Sequence, residues 1–505
     1  MTIRSNIKAN QSTRMNVLTP DQCQELVLAA EEAMWRTGTN FHDEESLEIM
    51  KKAGCWVEGT RVRVPAHIFE QALKTCQKHI VLCNSRTGAR ELFVEGHNSY
   101  FGSGPCTPFT RNPFTGERHR ATRQSVGWAT KLLDALPNID YAMSLGIVQD
   151  VPLLISDRHE FEQQILHTDK PIITVCVDQW GQADCIKMAE IVAGGEEELR
   201  KNPFICLYAE PISPGVHCRE AAQKLVMGAK KDLPTIYTPC IMAGGTAPAT
   251  LAGVMVQGLC ESLSGLVLSQ CTREGAPFIM GGVYTILDMT TTIFSYGAPE
   301  LSLLLAALAD VAHYLSIPMF GTAGCTDSCI IDEQAGIEAA ISIAMTNMSG
   351  ANLNHDIGYA EQGATSNLDL VVICDEVLGM ARRLTNGIRV DEETLALDLI
   401  ESVGPGGKFS DQSCADELLD DFDDFDDFDD EDEEQECCRN FQPKLISRAA
   451  REIWEKAGGK TLTQVANEKV RDIINYHEPE PLPKDLAAKI RDIVENAVGH
   501  MPGED

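Results

Sequence analysis

Eight short β-rich runs recur along the chain, and each is followed by an apolar helical pattern. Their spacing of roughly 30 to 42 residues is typical of repeated strand–helix units. The runs are mostly apolar without alternation, which indicates parallel strands buried on both faces. We therefore predict an α/β fold, a closed (β/α)8 TIM barrel, with a doubly wound open sheet as the alternative. The runs span residues 98–106, 141–149, 171–178, 203–210, 234–242, 276–284, 317–325 and 351–359.

The predicted barrel occupies residues 97–385. Residues 1–96 before it lack the strand–helix repeat. There, Thr19 and Pro20 begin one amphipathic helical pattern, and Pro65 begins another. We predict that this region is an N-terminal helical cap.

The C-terminal region, residues 386–505, predicts a helical extension that is interrupted by an acidic insertion at residues 416–436. The insertion contains 15 acidic residues and the run DDFDDFDDFDD. We expect it to be disordered, because it cannot bury enough surface to offset its chain entropy and charge repulsion.

Composition excludes several classes of partner. The net charge of −33, from 42 basic and 75 acidic residues, opposes binding to phosphate backbones and anionic membranes. The 18 cysteines are scattered through apolar segments, which favours reduced thiols in the cytoplasm over disulfides. No stretch of about 20 apolar residues lacks polar breaks, and the start of the chain contains no apolar signal segment. We therefore expect a cytoplasmic protein that binds neither nucleic acid nor membrane.

The stretch NLNHDIGYAEQG places polar and aromatic side chains directly after the eighth predicted strand. In a TIM barrel, the loops after the carboxyl ends of the strands form the active site. The candidates here are His355, Asp356, Tyr359 and Glu361. Successive side chains of an extended strand point to opposite faces, so we expect His355 and Asp356 to act separately and not as a His–Asp pair.

Aromatic residues make up only 6% of the chain, yet many lie at or just beyond the predicted strand ends. Rings gathered there could wall an apolar cleft, and aromatic faces attract a poorly hydrated cation. The alternative is that they simply cover the end of the barrel. These residues are Tyr100, Phe101, Trp180, Tyr208, Tyr284, Phe294, Tyr296 and Tyr359.

Two cysteines, Cys325 and Cys329, follow the seventh predicted strand, and together with His355 they could bind zinc. Their spacing is not that of a zinc finger, and a chain with 18 cysteines produces such pairs by chance. We therefore predict no bound metal and keep zinc as the alternative. The sequence contains no Walker loop and no GxGxxG motif after a strand. It therefore does not indicate a bound nucleotide.

Several motifs, taken in order, resemble the trimethylamine:corrinoid methyltransferase superfamily. More closely, the chain is similar to members that lack pyrrolysine and demethylate quaternary amines such as glycine betaine. The resemblance implies a TIM barrel that presents a methylated amine to a separate cognate corrinoid protein, whose Co(I) takes the methyl group. It implies no cofactor bound directly to this chain. The motifs are GPCTPFTRNPFTGERHRATRQ, PISPG, PCIMAGGTAPATLAG, FGTAGCTDSCIIDEQAGIEA and NLNHDIGYAEQG…CDEVLGMARR.

The resemblance also implies roles for particular residues. It places Tyr100, Phe101, His355 and Tyr359 in the substrate pocket. Glu210 and Glu361 would attract an ammonium group, and His355 or Arg118 would bind a substrate carboxylate.

The catalytic candidates are His355, Cys329 and Asp327, and the pyrrolysine of the relatives would fall at Cys329 or its neighbour. The large apolar helices favour a homo-oligomer. Two alternatives stay open: a zinc-dependent corrinoid methyltransferase for another methyl donor, and a non-catalytic barrel whose acidic insertion recruits a basic partner.

Overall fold

A curled sheet of seven parallel strands forms the centre of the computed structural model, which describes residues 13–409 except 389, 391 and 393, and residues 440–500. Seven of the eight predicted runs form its strands, and the predicted acidic insertion lies outside the described residues. In chain order the strands are β1 Tyr100–Ser103, β2 Ile172–Val175, β3 Ile205–Ala209, β4 Thr235–Tyr237, β5 Phe278–Gly281, β6 Met319–Thr322 and β7 Leu353–Ile357. Their order across the sheet is β1-β7-β6-β5-β4-β3-β2.

The remaining predicted run, residues 141–149, forms no continuous strand. Tyr141 makes a single parallel bridge to Gly102 beside β1, and Ala142 makes one to Ile172 of β2. Beyond Ala142, side-chain hydroxyls replace part of the ladder, although Leu145 N–H still donates to Gly104 O at 2.9 Å. The Ser103 hydroxyl donates to Met143 O at 2.9 Å and also accepts from Met143 N. A strand needs backbone-to-backbone pairing, so hydroxyl-mediated pairing leaves only isolated bridges here.

Alternate residues of the strands point into the curl and form one apolar cluster, as the period of a strand requires. The hairpin of strands Ile80–Cys83 and Arg90–Val94 completes this cluster. The side chain of Asn352, just before β7, donates to Glu95 O and Gly96 O, so the hairpin lies at the amino ends of the strands. The cluster contains Ile80, Leu82, Leu92, Val94, Tyr141, Met143, Ile173, Cys206, Tyr208, Ile236, Ile279, Phe320 and Leu353.

Helices cover the outer face of the sheet. One of them, Leu251–Thr272, is long and apolar enough to cross a membrane by length and composition, but 72% of its apolar window is buried inside the protein. The outer helices are Arg123–Ala135, Ser156–His167, Gln179–Ala193, Glu196–Lys201, Arg219–Lys231, Leu251–Thr272, Pro299–Leu315, Glu333–Ser349 and Leu368–Thr385, with a short 3-10 helix at Leu153–Ile155.

The N-terminal region combines helices with a small sheet. Helix Pro20–Arg36 begins as predicted, with a capping box between Thr19 and Gln22, and it packs on helix Leu251–Thr272. The other N-terminal helices are Glu44–Ala53 and Ala66–Thr75. The small sheet consists of Thr39–Phe41, Trp56–Glu58, Arg61–Arg63 and Val216–His217.

C-terminal helices pack back onto the outer layer. Helix Leu462–Tyr476 contacts Leu368–Thr385, and helix Lys484–Glu495 contacts Gln179–Ala193. The two remaining described helices are Leu397–Val403 and Arg451–Lys456. Short strands also extend beyond the carboxyl ends of the main sheet: Cys240–Ala243 with Val283–Ile286, and Phe109–Arg111, Arg118–Arg120, Tyr359–Ala360 and Thr365–Ser366.

Candidate active site

Strand β7 ends in an irregularity that brings His355 and Asp356 together. The pairing of β7 with β1 shifts register between Asn354 and Ile357, and Asp356 has a φ of +74°. His355 Nε2 lies 3.3 Å from Asp356 Oδ1. The prediction that these side chains point to opposite sides was therefore wrong, because the left-handed backbone at Asp356 breaks the alternation of the strand.

His355 is buried and held in one orientation. Its Nδ1 lies 2.7 Å from Gly321 O, which can only accept, so Nδ1 carries the hydrogen. Its ring lies against Phe320, with centroids 4.3 Å apart. Burial lowers the pKa of His355 to about 4, so the ring is neutral at neutral pH and its Nε2 lone pair faces Asp356.

Asp356 is a buried carboxyl group, 1% exposed, and neither oxygen has a hydrogen-bond partner among the described residues. Burial raises the pKa of Asp356 well above its usual range, and the charge of Glu210 raises it further. The hydroxyls of Tyr296 and Thr322 oppose this shift, although neither reaches hydrogen-bond geometry. In the free protein, burial therefore favours the protonated carboxyl group.

Tyrosine rings surround this carboxyl group. The Tyr359 hydroxyl accepts from Cys106 N–H at 2.9 Å, and the ring of Tyr359 meets that of Tyr296 edge-on, with centroids 6.1 Å apart. Gly104 makes room for them. A Cβ there would come within 2.3 Å of the Tyr359 ring and 2.5 Å of Asp356 Oδ1.

Glu210, just beyond the end of β3, contributes a second carboxyl group, which accepts from the Tyr208 hydroxyl at 3.2 Å. Glu210 and Cys106 are open to solvent, yet burial raises the pKa of both. A side chain is both accessible to solvent and largely surrounded by protein when it lines an enclosed cleft. We call this space the cleft. The carboxyl group of Asp356 lies next to it, with neither oxygen exposed. The cleft residues are Cys106, Tyr208, Glu210, Cys240, Tyr296 and Tyr359.

Asp327 lies on the loop after β6 and holds the loop that carries Tyr296. Its carboxylate accepts from Tyr296 N–H at 2.7 Å and from the Ser295 hydroxyl at 2.5 Å. Both of its oxygens are therefore occupied, and Asp327 positions the loop that carries Tyr296.

Arg118 and Glu361 pair with each other. Arg118 Nε donates to Glu361 Oε2 at 2.9 Å, and the guanidinium lies over the Phe109 ring, 3.7 Å from its centroid. Arg118 and Glu361 line a cavity of about 180 Å³ that is separate from the cleft. The exposed Cys329 lines this cavity too. The two opposite charges neutralise each other, so the structure does not present either of them as a free charge for a substrate.

The structure does not bring Tyr100 and Phe101 to the cleft. Tyr100 is the first residue of β1, at the amino end, and its hydroxyl accepts from Phe93 N–H of the hairpin at 3.1 Å. Phe101 is fully buried and packs outward with Leu132 and Leu133 of the covering helices. The expected pocket positions were wrong because β1 begins at these residues instead of ending there.

The other aromatic residues named from the sequence lie in different surroundings. Tyr208, Tyr296 and Tyr359 line the cleft, and Phe294 packs on Tyr296 with centroids 4.9 Å apart. By contrast, Tyr284 is fully buried in the outer core, and Trp180 stacks on His500.

The zinc set of Cys325, Cys329 and His355 is not assembled. Cys325 is fully buried, Cys329 is exposed in the separate cavity, and His355 Nδ1 is bonded to the backbone. Within residues 13–409 and 440–500, as far as they are described, no group of three or more His, Cys, Asp or Glu side chains is placed to hold a metal ion.

Sequence reasoning missed Asp356 as a buried carboxyl group without a partner among the described residues, and it also missed Cys106, Cys240 and Gly104. Gly104 of FGSGPC, directly after β1, was the available signal, because a glycine at a strand end often marks the close approach of another group.

Comparisons with known proteins agree with one another. The family described as Trimethylamine methyltransferase (MTTB) matches residues 2–502. The trimethylamine methyltransferase MttB of Desulfitobacterium hafniense (strain DSM 10664 / DCB-2) is 32% identical over 469 residues, which cover 92% of this chain and 90% of that protein. The glycine betaine methyltransferase of Desulfitobacterium hafniense (strain Y51) is 27% identical over 481 residues, which cover 95% of this chain and 96% of that protein.

Among solved structures, the monomethylamine methyltransferase MtmB of Methanosarcina barkeri aligns over 90% of this chain and 92% of its own, at 12% identity. The TM-score of this alignment is 0.42. The family match, in contrast, spans nearly all 505 residues. The chain therefore belongs to the trimethylamine methyltransferase (MTTB) family and is a methyltransferase.

Proposed function

We propose that this methyltransferase takes a methyl group from a betaine-like quaternary amine and passes it to the Co(I) corrinoid of a separate cognate corrinoid protein. The observation that carries the proposal is the cleft, in which three tyrosine rings surround two carboxyl groups. A quaternary ammonium is a poorly hydrated cation, and aromatic faces return about 0.5 to 2 kcal/mol each when such a cation is desolvated. The carboxyl groups of Asp356 and Glu210 carry the matching negative charge once they are ionised.

The chemistry of such a substrate matches what the cleft contains. When the N–CH₃ bond breaks, its electron pair stays on nitrogen, and the amine leaves as a neutral tertiary amine that needs no proton. The reduced corrinoid of the partner supplies the electron pair that forms the new bond to the methyl carbon. The protein's task is to orient the N–CH₃ bond and to exclude water.

The thiols of the cleft do not compete as nucleophiles. Burial raises the pKa of Cys106 and of Cys240 well above the usual range, so both stay protonated at neutral pH. A protonated thiol is a weak nucleophile. This supports an acceptor that comes from outside the chain.

The surface around the cleft supports docking of that acceptor. Loops that follow the segment at residues 141–142 and the strands β2, β3, β5 and β6 carry exposed apolar side chains, which we call the rim. Met289 is 78% exposed and Ile212 is 58% exposed. Exposed apolar groups clustered around a site are typical of protein contact surfaces. The rim consists of Leu153, Val177, Ile212, Met289, Ile293 and Ile330.

We extend the proposal to the closure of the sheet and to assembly. The bridges at Tyr141 and Ala142 support a closed (β/α)8 barrel, and the buried free thiols support a cytoplasmic location. Exposed Ile337 and Ile341 lie on helix Glu333–Ser349, and Leu303 lies on a neighbouring helix, which supports a homo-oligomer. Sedimentation of the purified protein tests the assembly directly.

The experiment that tests the function mixes the purified protein with a reduced corrinoid protein and a panel of methylated amines. The panel contains glycine betaine, carnitine, tetramethylammonium and trimethylamine. Absorbance reports methylation of the corrinoid, and we expect it with a quaternary member of the panel. If only trimethylamine methylated the corrinoid, the substrate would be a tertiary amine and the proposed quaternary substrate would be wrong. No methylation by any member, with a partner shown to be competent, would refute the proposal.

A further inference from the structure

Asp356 combines three features that seldom occur together. It is buried, neither of its oxygens has a partner among the described residues, and its backbone lies in the left-handed region at φ +74°. An unpartnered buried polar group costs free energy, and so does a left-handed conformation for a residue other than glycine. Structures retain such costs where a ligand offsets them, and the charge of Asp356 acts on Glu210, Cys106 and Cys240 of the cleft.

Asp356 and His355 are neighbours, but their contact does not have the geometry of a hydrogen bond. His355 Nδ1 commits its hydrogen to Gly321 O at 2.7 Å, so the neutral ring offers only the Nε2 lone pair to Asp356 Oδ1, 3.3 Å away. An ionised carboxylate facing a lone pair would be repelled. Burial raises the pKa of Asp356 and lowers that of His355 to about 4, which leaves the proton on the carboxyl group.

The groups that face Asp356 come from every side of the cleft, and no permanent cation stands among these described side chains. Lys224 acts on Glu210 and Cys106, while its ammonium group donates to Cys176 O at 2.8 Å. Negative charge on Asp356 therefore has no protein partner. The facing titratable groups are Cys106, Tyr141, Tyr208, Glu210, Cys240, Tyr296, Cys325, His355 and Tyr359.

We propose that Asp356 is the counter-ion of the bound ammonium and that the cation replaces the proton held by Asp356. The inference rests on the proposed function, because the amine supplies the positive charge. When the ammonium enters, the O–H bond of Asp356 breaks and the proton passes to solvent. The cleft thus selects for positive charge, since a neutral molecule of the same shape leaves the proton in place.

Calorimetry in buffers of different ionisation enthalpy tests the exchange. The probes are glycine betaine and tetramethylammonium, and the matched neutral-headed control is 3,3-dimethylbutanoate, in which carbon replaces the nitrogen of glycine betaine. We expect release of about one proton for each cation bound, and affinity that rises about tenfold per pH unit until Asp356 ionises in the free protein. The control should release no proton and should bind with no such pH dependence.

Two variants assign the proton to its residue. Asp356→Asn is chosen because asparagine tolerates a left-handed backbone and resembles the protonated acid. At low pH, we expect this variant to bind the cations with the affinity of the wild type. As the pH rises, its affinity should drop further and further below that of the wild type, and binding should release no proton. Glu210→Gln removes the second carboxyl group and should keep the proton release.

Each outcome decides the inference. Cation binding without proton release, or release that disappears in Glu210→Gln but persists in Asp356→Asn, overturns it while leaving the proposed function standing. If neither cation binds the wild type at any pH, the inference falls together with the proposed substrate class. If Asp356→Asn does not fold, the proton count and pH slope of the wild type and of Glu210→Gln still decide.

Discussion

At residue 356 the backbone leaves the extended region, and two neighbouring side chains turn to the same side of β7. The contact between His355 and Asp356 follows from that one dihedral angle. The sequence indicated the location of the site, because NHDIG follows an apolar run. It did not indicate the contact, since an aspartate in the left-handed region cannot be distinguished by pattern from one in a regular strand.

The tight space at Gly104 gives a direct test of the cleft. In Gly104→Ala, the new methyl group would collide with the Tyr359 ring and with Asp356 Oδ1. Such overpacking costs about 1 to 3 kcal/mol and would displace both groups. We expect methyl transfer to fall at least about tenfold, with a modest fall in Tm, as measured by kcat/KM and calorimetry.

The matched control is Gly336→Ala, on helix Glu333–Ser349, where an added Cβ meets nothing within 4 Å. Alanine favours helix over glycine by about 1 kcal/mol, so this variant should be slightly more stable and equally active. Equal activity of the two variants would show that Gly104 does not border the reacting groups.

Among the elements, the hairpin of strands Ile80–Cys83 and Arg90–Val94 separates stability from function. It fills the amino end of the sheet, whereas the cleft lies at the carboxyl ends. Leu82→Ala removes a fully buried side chain, and we expect it to lower the free energy of unfolding by about 2 to 5 kcal/mol. Denaturant unfolding measures the loss, and kcat of the folded fraction should be unchanged.

Phe93→Ala on the same hairpin is the control, because Phe93 is 40% exposed and points away from the cluster. Its effect on unfolding should be much smaller than that of Leu82→Ala. A similar loss in both variants would mean that the hairpin is stabilised by its own pairing and not by its insertion into the sheet.

The elements also show where pattern reasoning succeeds and where it fails. Continuous apolar runs predicted seven strands in order, because burial on both faces leaves that trace in the sequence. The run at residues 141–149 is equally apolar, yet Ser103 takes over its backbone pairing. Tyr100 and Phe101 were misplaced for a related reason, since composition does not locate the first residue of a strand.

For the whole molecule, the rim links the cleft to its partner. Met289→Glu and Ile212→Glu place charges on a surface that we propose to be apolar and covered during transfer. We expect each to raise the KM for the corrinoid protein about tenfold while leaving the KM for the amine unchanged. Steady-state kinetics with each component varied separates the two constants.

Leu28→Glu is the control, because Leu28 is 53% exposed on helix Pro20–Arg36 of the N-terminal region. It should change neither constant. If the rim variants behave like Leu28→Glu, the partner approaches by another surface.

The pH dependence of stability also belongs to the whole molecule. Burial lowers the pKa of His217 to about 3 and those of His97 and His355 to about 4, from 6.5. The unfolded chain then binds more protons than the folded chain below pH 6.5, so stability falls as the pH drops from there towards about 4. His217→Gln should flatten that fall by about 1.4 kcal/mol per pH unit.

Urea unfolding at a series of pH values measures this slope. The control His67→Gln replaces an exposed histidine and should leave the slope unchanged. Equal slopes for His217→Gln and the wild type would mean that His217 is protonated in the folded protein.

The packing of helix Pro20–Arg36 on helix Leu251–Thr272 has a consequence for synthesis on the ribosome. The apolar stripe of the earlier helix has its partner only after more than half of the chain has emerged, because that partner ends at Thr272 of 505 residues. Contacts between residues so distant in sequence form slowly, and the apolar surface stays exposed to solvent until they form. A nascent chain stalled before Thr272 should therefore recruit chaperones through helix Pro20–Arg36. A nascent chain released after that point should bury this helix against its partner.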